Sequence, residues 1–407
     1  MEILPFVYLG YMFISLYFLS FYFLLYLRER KNIFDVPELK KHFAVSVLIP
    51  AYNEEEVIES TIMSILESDY DNILEVIVIN DGSKDRTKEI VKKLMKKYSK
   101  LKLLDKENSG KADSLNQGIK IVKGELVAVV DADSFPRKDA IRKMVGFFEN
   151  EKVGAATVPI LARNNHKFFE KLQSFEYTVI ALTRKLLESV DAIYVTPGPL
   201  ALYRKKALVE IRGFDPKNLT EDIEVTWHLI AEGWERRMCL DTVVTTVVPS
   251  KLKAWWKQRR RWSMGGLQSI LKYRKQFLKR GMLGYFVIPF FILSSFLGML
   301  GLSIFFYLLS NRIINQYLLA KYSLIANTPI ITLEQFYFTP SVLNYLGVVL
   351  FLMGTIFTFG VLILMKEDVF KKRNFFKILF YLLIYLMVYP FIMLSAIFKL
   401  LKKDMSW

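Results

Sequence analysis

Glu125-Leu126-Val127-Ala128-Val129-Val130-Asp131-Ala132-Asp133 decides how this chain folds. An uninterrupted apolar run rich in valine reads as a strand buried on both faces, and two carboxylates follow where the run stops. On extended backbone, side chains at i and i+2 point the same way, so Asp131 and Asp133 are expected on one side of the strand tip. Like charges held together are unfavourable unless a cation joins them. Hard carboxylate oxygens suit Mg²⁺ or Mn²⁺ bound jointly with phosphates.

Towards the N-terminus, similar runs at 44–50, 74–80 and 101–104 alternate with amphipathic stretches near 54–67, 85–98 and 110–123. Near-continuous apolar strands separated by helices predict a doubly wound α/β domain with a parallel sheet, covered on both faces. A nucleotide is expected at the carboxyl ends of its strands. The loop after the first strand offers Tyr52 as an aromatic face and Glu54 for ribose hydroxyls, although Asn53 also suits a helix cap. After the second strand, Asp81 stands before Gly82, either contacting a nucleoside or making a simple turn. Lys111 opens the third helix without the Gly-rich cradle of a phosphate loop; it reaches a nucleotide or is a surface lysine.

Towards the C-terminus, residues 153–249 are less regular and are expected to bind an acceptor. A helix near 168–188, a strand near 200–203, a helix near 222–232 and an apolar run at 243–248 are read there. Thr220-Glu221-Asp222 combines a helix start, capped by Thr220, with a candidate general base at Asp222. Gln258-Arg259-Arg260-Arg261-Trp262 then supplies a guanidinium for a leaving diphosphate and an indole face for a sugar.

The chain has 407 residues, of which 53% are hydrophobic, more than a soluble protein usually carries. Uncharged stretches at 3–27, 281–310, 335–365 and 378–398 account for the excess, each reaching the ~20 residues that cross a bilayer. Pro390 divides the last of these, so a re-entrant or interfacial hairpin over 375–407 stays open. Arg28, Arg30 and Lys31 follow the first stretch, so the positive-inside tendency puts residues 28–280 in the cytosol. Net charge is +16, and residues 251–280 hold eleven basic residues and no acidic one. With Trp255, Trp256 and Trp262 among them and a span following, an amphipathic helix at the bilayer surface fits better than nucleic-acid binding. The lone Cys239 excludes an internal disulfide, and His42, His166 and His228 are too scattered for a histidine-built metal site.

Asp81, Asp131-Ala132-Asp133, Thr220-Glu221-Asp222 and Gln258 to Trp262 together resemble the D, DxD, TED, QxxRW signature of membrane-integrated family 2 glycosyltransferases. The segment Gly198-Pro199-Leu200 with Tyr203-Arg204 is similar to the acceptor segment of hyaluronan and chitin-oligosaccharide synthases. Trp256 to Trp262 followed by Gly265-Gly266 looks closest to bacterial poly-N-acetylglucosamine synthases. The resemblance implies a GT-A fold, a UDP-sugar donor, a divalent metal, inversion to a β-linkage and export of the glycan through the membrane part. It implies donor contacts for Tyr52, Glu54, Asp81, Lys111, Asp131, Gln258 and Arg261, and a metal at Asp133. Asp222 is the base, and Trp262, Gly198 and Glu221 meet the acceptor. The expected layout is an anchor over 1–30, a GT-A domain over 31–250, interfacial helices over 251–280 and a membrane region over 281–407. The expected function is processive polymerisation of a UDP-sugar at the cell membrane, with a secretion partner or oligomer as a further expectation. The alternative is a single-addition lipid glycosyltransferase acting on a polyprenyl phosphate or glycolipid. A non-catalytic membrane scaffold is the third reading, weakened by the complete set of carboxylates.

Overall fold

The computed structural model describes residues 4–279, 281–327, 342–402 and 404. Helix α1 (Leu4–Glu29) precedes the sheet domain. There β1 (Val45–Ala51) lies between β2 (Ile73–Asp81) and β4 (Leu126–Val129), with β3 (Leu101–Lys106) beyond β2, all in parallel. The crossovers are α2 (Ile58–Leu66), α3 (Thr87–Met95) and α4 (Lys111–Ile121). Ile62, Ile65 and Val91 cover Val47 and Ile49 on one face, whereas Leu115 and Ile119 cover Leu48, Ile77 and Ile79 on the other. Burial on both faces is why β1 reads as an unbroken apolar run.

After β4 come β5 (Ser134–Pro136), α5 (Ala140–Val145), β6 (Val153–Thr157), β7 (Ile160–Ala162) and α6 (Phe168–Glu188). Then follow β8 (Ala201–Arg204), α7 (Lys205–Glu210), α8 (Glu221–Ala231), β9 (Glu235–Met238) and β10 (Val244–Thr246). The main sheet has the order β3-β2-β1-β4-β8-β6-β9, and β5-β10-β7 form a small second sheet. β8 runs antiparallel to both β4 and β6, so the sheet is mixed rather than wholly parallel as expected. Apolar patterning reports burial and carries no direction; here α6 and the loop after it bring the chain back from the opposite end.

The remaining helices are α9 (Leu252–Tyr273), α10 (Ile288–Ile325), α11 (Val342–Leu364), α12 (Lys372–Phe380) and α13 (Tyr389–Leu401). Among the described residues, four stretches are long and apolar enough to cross a membrane: Leu4–Glu29, Leu283–Ile325, Tyr345–Leu364 and Lys372–Leu401. The second outruns the expected 281–310, because Asn311 and Arg312 interrupt hydropathy but nothing in 311–325 breaks a helix. The last is continued across Pro390, which follows a π turn (Tyr381–Tyr385) and a 3₁₀ turn (Leu386–Val388) where the regular helical hydrogen-bond ladder is already interrupted. The start of the third expected stretch, 335–341, lies outside the described residues. In the basic run, Trp255 and Arg259 are buried inside the protein rather than turned to lipid.

Candidate active site

β4 ends at Val129, so a turn and not strand alternation places the two carboxylates. The Ser134 N–H donates to the Asp131 carbonyl at 3.0 Å, and the Asp131 N–H donates to the Gly198 carbonyl at 3.1 Å. A Cβ at position 198 would come within 2.6 Å of Lys111 Nζ and 2.7 Å of Asp131 Oδ2. Glycine is therefore what allows the 198 loop to cross this ion pair.

Lys111, the first residue of α4, pairs with Asp131 at 2.6 Å and with Glu221 at 2.5 Å. It ties the Asp131 turn to the start of α8. Burial opposes its charge, but the carboxylates of Asp131, Glu221 and Asp222 hold its pKa above the usual lysine range. Glu221 is stabilised as the anion: burial raises its pKa, and Lys111 and Arg261 outweigh that. Asp222 goes the other way. Burial, then the neighbouring Glu221 charge, push its carboxyl up to about 6 against the pull of Lys111 and Arg261. Thr220 does not cap α8; its hydroxyl donates to Asn218 Oδ1 at 3.2 Å. It packs against Gly265 of α9, where a Cβ would overlap the hydroxyl.

One cavity of about 300 Å³ brings most of the expected residues together. Lys111, Asp131, Asp133 and Gly198 line it from the sheet side, Glu221 and Asp222 from α8, and Gln258, Arg261 and Trp262 from α9. The Arg261 guanidinium donates to the Leu219 carbonyl at 3.1 Å, which fixes it beside the α8 start.

Tyr52, Glu54 and Asp81 do not line this cavity. Glu54 lines an adjoining depression of about 530 Å³ that shares Asp133, Val247 and Gln258 with it. Asn53 is no helix cap, since α2 begins at Ile58. At φ 57° it accepts the Lys84 N–H at 2.8 Å and locks the first loop to the second. Tyr52 is 45% exposed in the same loop, open to a flat ligand. Asp81 is occupied: it accepts Lys106 Nζ at 2.5 Å and the N–H groups of Ser109 and Gly110 at 2.9 Å. Its carboxylate shapes the loop that presents Lys111.

Among the described residues no group of three or more His, Cys, Asp or Glu makes a metal cluster by itself. Yet burial, Asp133 and Asp131 together push the Glu54 carboxyl up to about 7, and burial plus Asp131 raise that of Asp133. Such unbalanced negative charge between two cavities fits a hard cation whose coordination is completed by substrate oxygens.

The sequence reading missed the support behind Trp262. Glu176 of α6, buried, accepts Arg259 Nη2 at 2.6 Å and the Tyr385 hydroxyl at 2.5 Å, and the Tyr389 hydroxyl donates to its other oxygen. Trp255 Nε1 donates to the Tyr385 hydroxyl at 2.7 Å. The Arg259 guanidinium lies 4.3 Å from the Trp262 ring centroid. This network joins α6, α9 and the last apolar helix, and it holds the indole from behind. Glu176→Ala strands the Arg259 charge and is expected to cost about 3–5 kcal/mol, read as a lower Tm in detergent. The Glu176→Ala/Arg259→Met double variant should recover most of that loss; an unchanged Tm in the single variant would contradict this role.

The mixed sheet, the carboxylate turn and the shared cavity define a GT-A domain attached to apolar helices. Residues 46–212 match the family model described as Glycosyl transferase family 2. It is 33% identical over 249 residues to the poly-beta-1,6-N-acetyl-D-glucosamine synthase of Staphylococcus aureus (strain COL), covering 61% of this chain and 60% of that one. To the synthase of the same name from Staphylococcus epidermidis it is 34% identical over 249 residues, covering 60% of each. The match thus spans about three fifths of these relatives' length. Among solved structures, the mannosyltransferase PcManGT from Pyrobaculum calidifontis, in complex with GDP-Man and Mn²⁺, superposes with a TM-score of 0.61 at 18% identity. That likeness covers 98% of this chain and 99% of the other, so the apolar helices belong to the shared architecture.

Proposed function

We propose that the chain is a processive, inverting hexosyltransferase that polymerises UDP-N-acetylglucosamine into a β-linked polysaccharide and passes it into or across the cell membrane. The observation that carries this reading is the convergence of Asp133, Asp222, Arg261 and Trp262 on one cavity. The staphylococcal relatives, poly-beta-1,6-N-acetyl-D-glucosamine synthases, favour a polymer over a single addition to a lipid, and they suggest the sugar.

In the proposed reaction Asp222 takes the proton of the acceptor hydroxyl as that oxygen attacks the anomeric carbon. The bond from that carbon to the diphosphate oxygen breaks on the opposite face, and the departing electron pair stays on the diphosphate. Lys111 and Arg261 lie where that charge develops. Mg²⁺ or Mn²⁺ held by Asp133 would neutralise diphosphate charge when bound. Trp262 gives the acceptor ring an apolar floor, and Gly198 and Glu221 border the same space. The nucleoside is assigned to the depression beside Glu54, with Tyr52 against the base; Gln258 borders both spaces. Asp81 acts through the loop that carries Lys111 and Asp131 through its pair with Lys111. The basic residues after α1 favour a cytosolic catalytic domain. Protease added outside intact cells should then leave 31–279 uncut.

A base must be deprotonated to work. With the Asp222 carboxyl at about 6, log kcat/KM should rise with pH below about 6 and level off above it. A profile flat from pH 5 to 8 would remove Asp222 from this role. The function itself is tested by incubating membranes with radiolabelled UDP-sugars plus Mn²⁺ or Mg²⁺ and sizing the product. A long N-acetylglucosamine glycan is expected; one sugar on an extractable lipid would overturn the polymer reading.

A further inference from the structure

Arg184 lines the same cavity and, among the described residues, has no hydrogen-bond or ion-pair partner. The residue is 6% exposed, and its Nε is buried without a hydrogen bond. No carboxylate stands within ion-pairing distance of it among the described residues; Asp222 and Tyr194 are its electrostatic neighbours at longer range. Burial alone depresses its pKa below the usual guanidinium range. An ion taken out of water without a counter-ion is among the costliest arrangements a fold can hold. The fully buried guanidinium groups of Arg259 and Arg236 are matched, by Glu176 and by Asp191 at 3.3 Å.

The position separates Arg184 from the donor. Tyr177, Ile180, Ala181 and Arg184 follow one another along the cavity-facing side of α6. Tyr177 packs with Trp262, and Arg184 lies seven residues further, about 10 Å along the helix. Its neighbour across the cavity is Tyr194, whose ring packs edge-on against Phe291 at 4.8 Å and lies 6.4 Å from Phe290. Both phenylalanines begin α10, within the stretch Leu283–Ile325 that is apolar enough to span a bilayer. Arg184 therefore sits where the cavity approaches the apolar helices, with Asp222 between it and the donor end.

We propose that Arg184 is an anion subsite for the acceptor, taking the phosphate of a lipid-borne sugar phosphate that primes synthesis. The lipid tail would lie along Phe290 and Phe291, the phosphate on the guanidinium fork, and the sugar hydroxyl at Asp222. This rests on the transferase reading of the cavity, but binding alone tests it.

The test uses the full chain in nanodiscs, without a nucleotide sugar, and three probes: farnesyl N-acetylglucosaminyl phosphate, free N-acetylglucosamine 1-phosphate and free N-acetylglucosamine. The wild type should bind the farnesyl ester most tightly, the free phosphate more weakly and the neutral sugar least. Charge-assisted hydrogen bonds of this kind correspond to about 10- to 100-fold in affinity, so Arg184→Met should weaken both phosphate probes by that factor. Arg184→Lys should retain part of it. Because the variant removes an unpaired buried charge, the Tm of Arg184→Met should equal or exceed that of the wild type. Equal binding of the phosphate probes to wild type and Arg184→Met, or a lowered Tm without a change in binding, overturns the inference. Arg184-dependent binding in a protein that transfers no sugar from any donor would instead overturn the transferase reading alone.

Discussion

Asp222→Asn is expected to lower polymer formation by about 10²–10⁴-fold while UDP binding survives, because the amide keeps the shape of the side chain and loses the proton acceptor. Three features make this the position for the largest effect. Asp222 stands at the start of α8, where it lines the cavity opposite Trp262. Its carboxyl is pushed up to about 6 by burial and by Glu221, which puts its basicity in the range a general base needs. Glu221, beside it, is committed to Lys111 at 2.5 Å and stays anionic. The adjacent carboxylates thus divide the work, one bound and one available. Initial rates with isothermal titration of UDP check this; a variant within tenfold of wild type would transfer the role to another group.

Asp133→Asn should cost about 10²–10³-fold in transfer and weaken the dependence of donor binding on Mn²⁺. Asp133 is the carboxylate common to the two cavities, with Glu54 on one side and Asp131 on the other. Removing its charge also relieves Glu54, whose pKa it raises, so the variant should bind UDP without metal at least as well as wild type does. Titration of UDP with and without Mn²⁺ reads both effects. An unchanged Mn²⁺ dependence would move the cation elsewhere.

Much of this was legible before any coordinates. Runs buried on both faces, such as 44–50 and 74–80, can hardly be anything but central strands, and α6 matches the expected 168–188 because its amphipathic pattern is long and unbroken. The grouping of Asp131 and Asp133 with the other candidate residues was legible in part because they follow a strand end, which any doubly wound sheet gathers at one edge. Direction was not: nothing in Ala201–Arg204 says that β8 runs antiparallel. Nor was the division of labour among charged groups. Asp81, expected to contact the donor, also accepts hydrogen bonds from Lys106 and Gly110, while Lys111, expected to reach the nucleotide or lie on the surface, bridges two motifs. Arg184 and Glu176 were invisible because charged letters in a long helix ordinarily mean a solvated face; only packing against α9 and the apolar helices buries them. Helix ends also drifted, since hydropathy stops at Asn311 and the backbone of α10 does not.

The central claim is that donor and acceptor groups share one cavity above the apolar helices. A cryo-EM map of the full chain with UDP and Mn²⁺ tests it most directly. The account predicts the cation on Asp133, the diphosphate beside Arg261 and Lys111, and an open space between Asp222 and Trp262. UDP seated away from Asp133, or Asp222 and Trp262 facing different spaces in that complex, would contradict it.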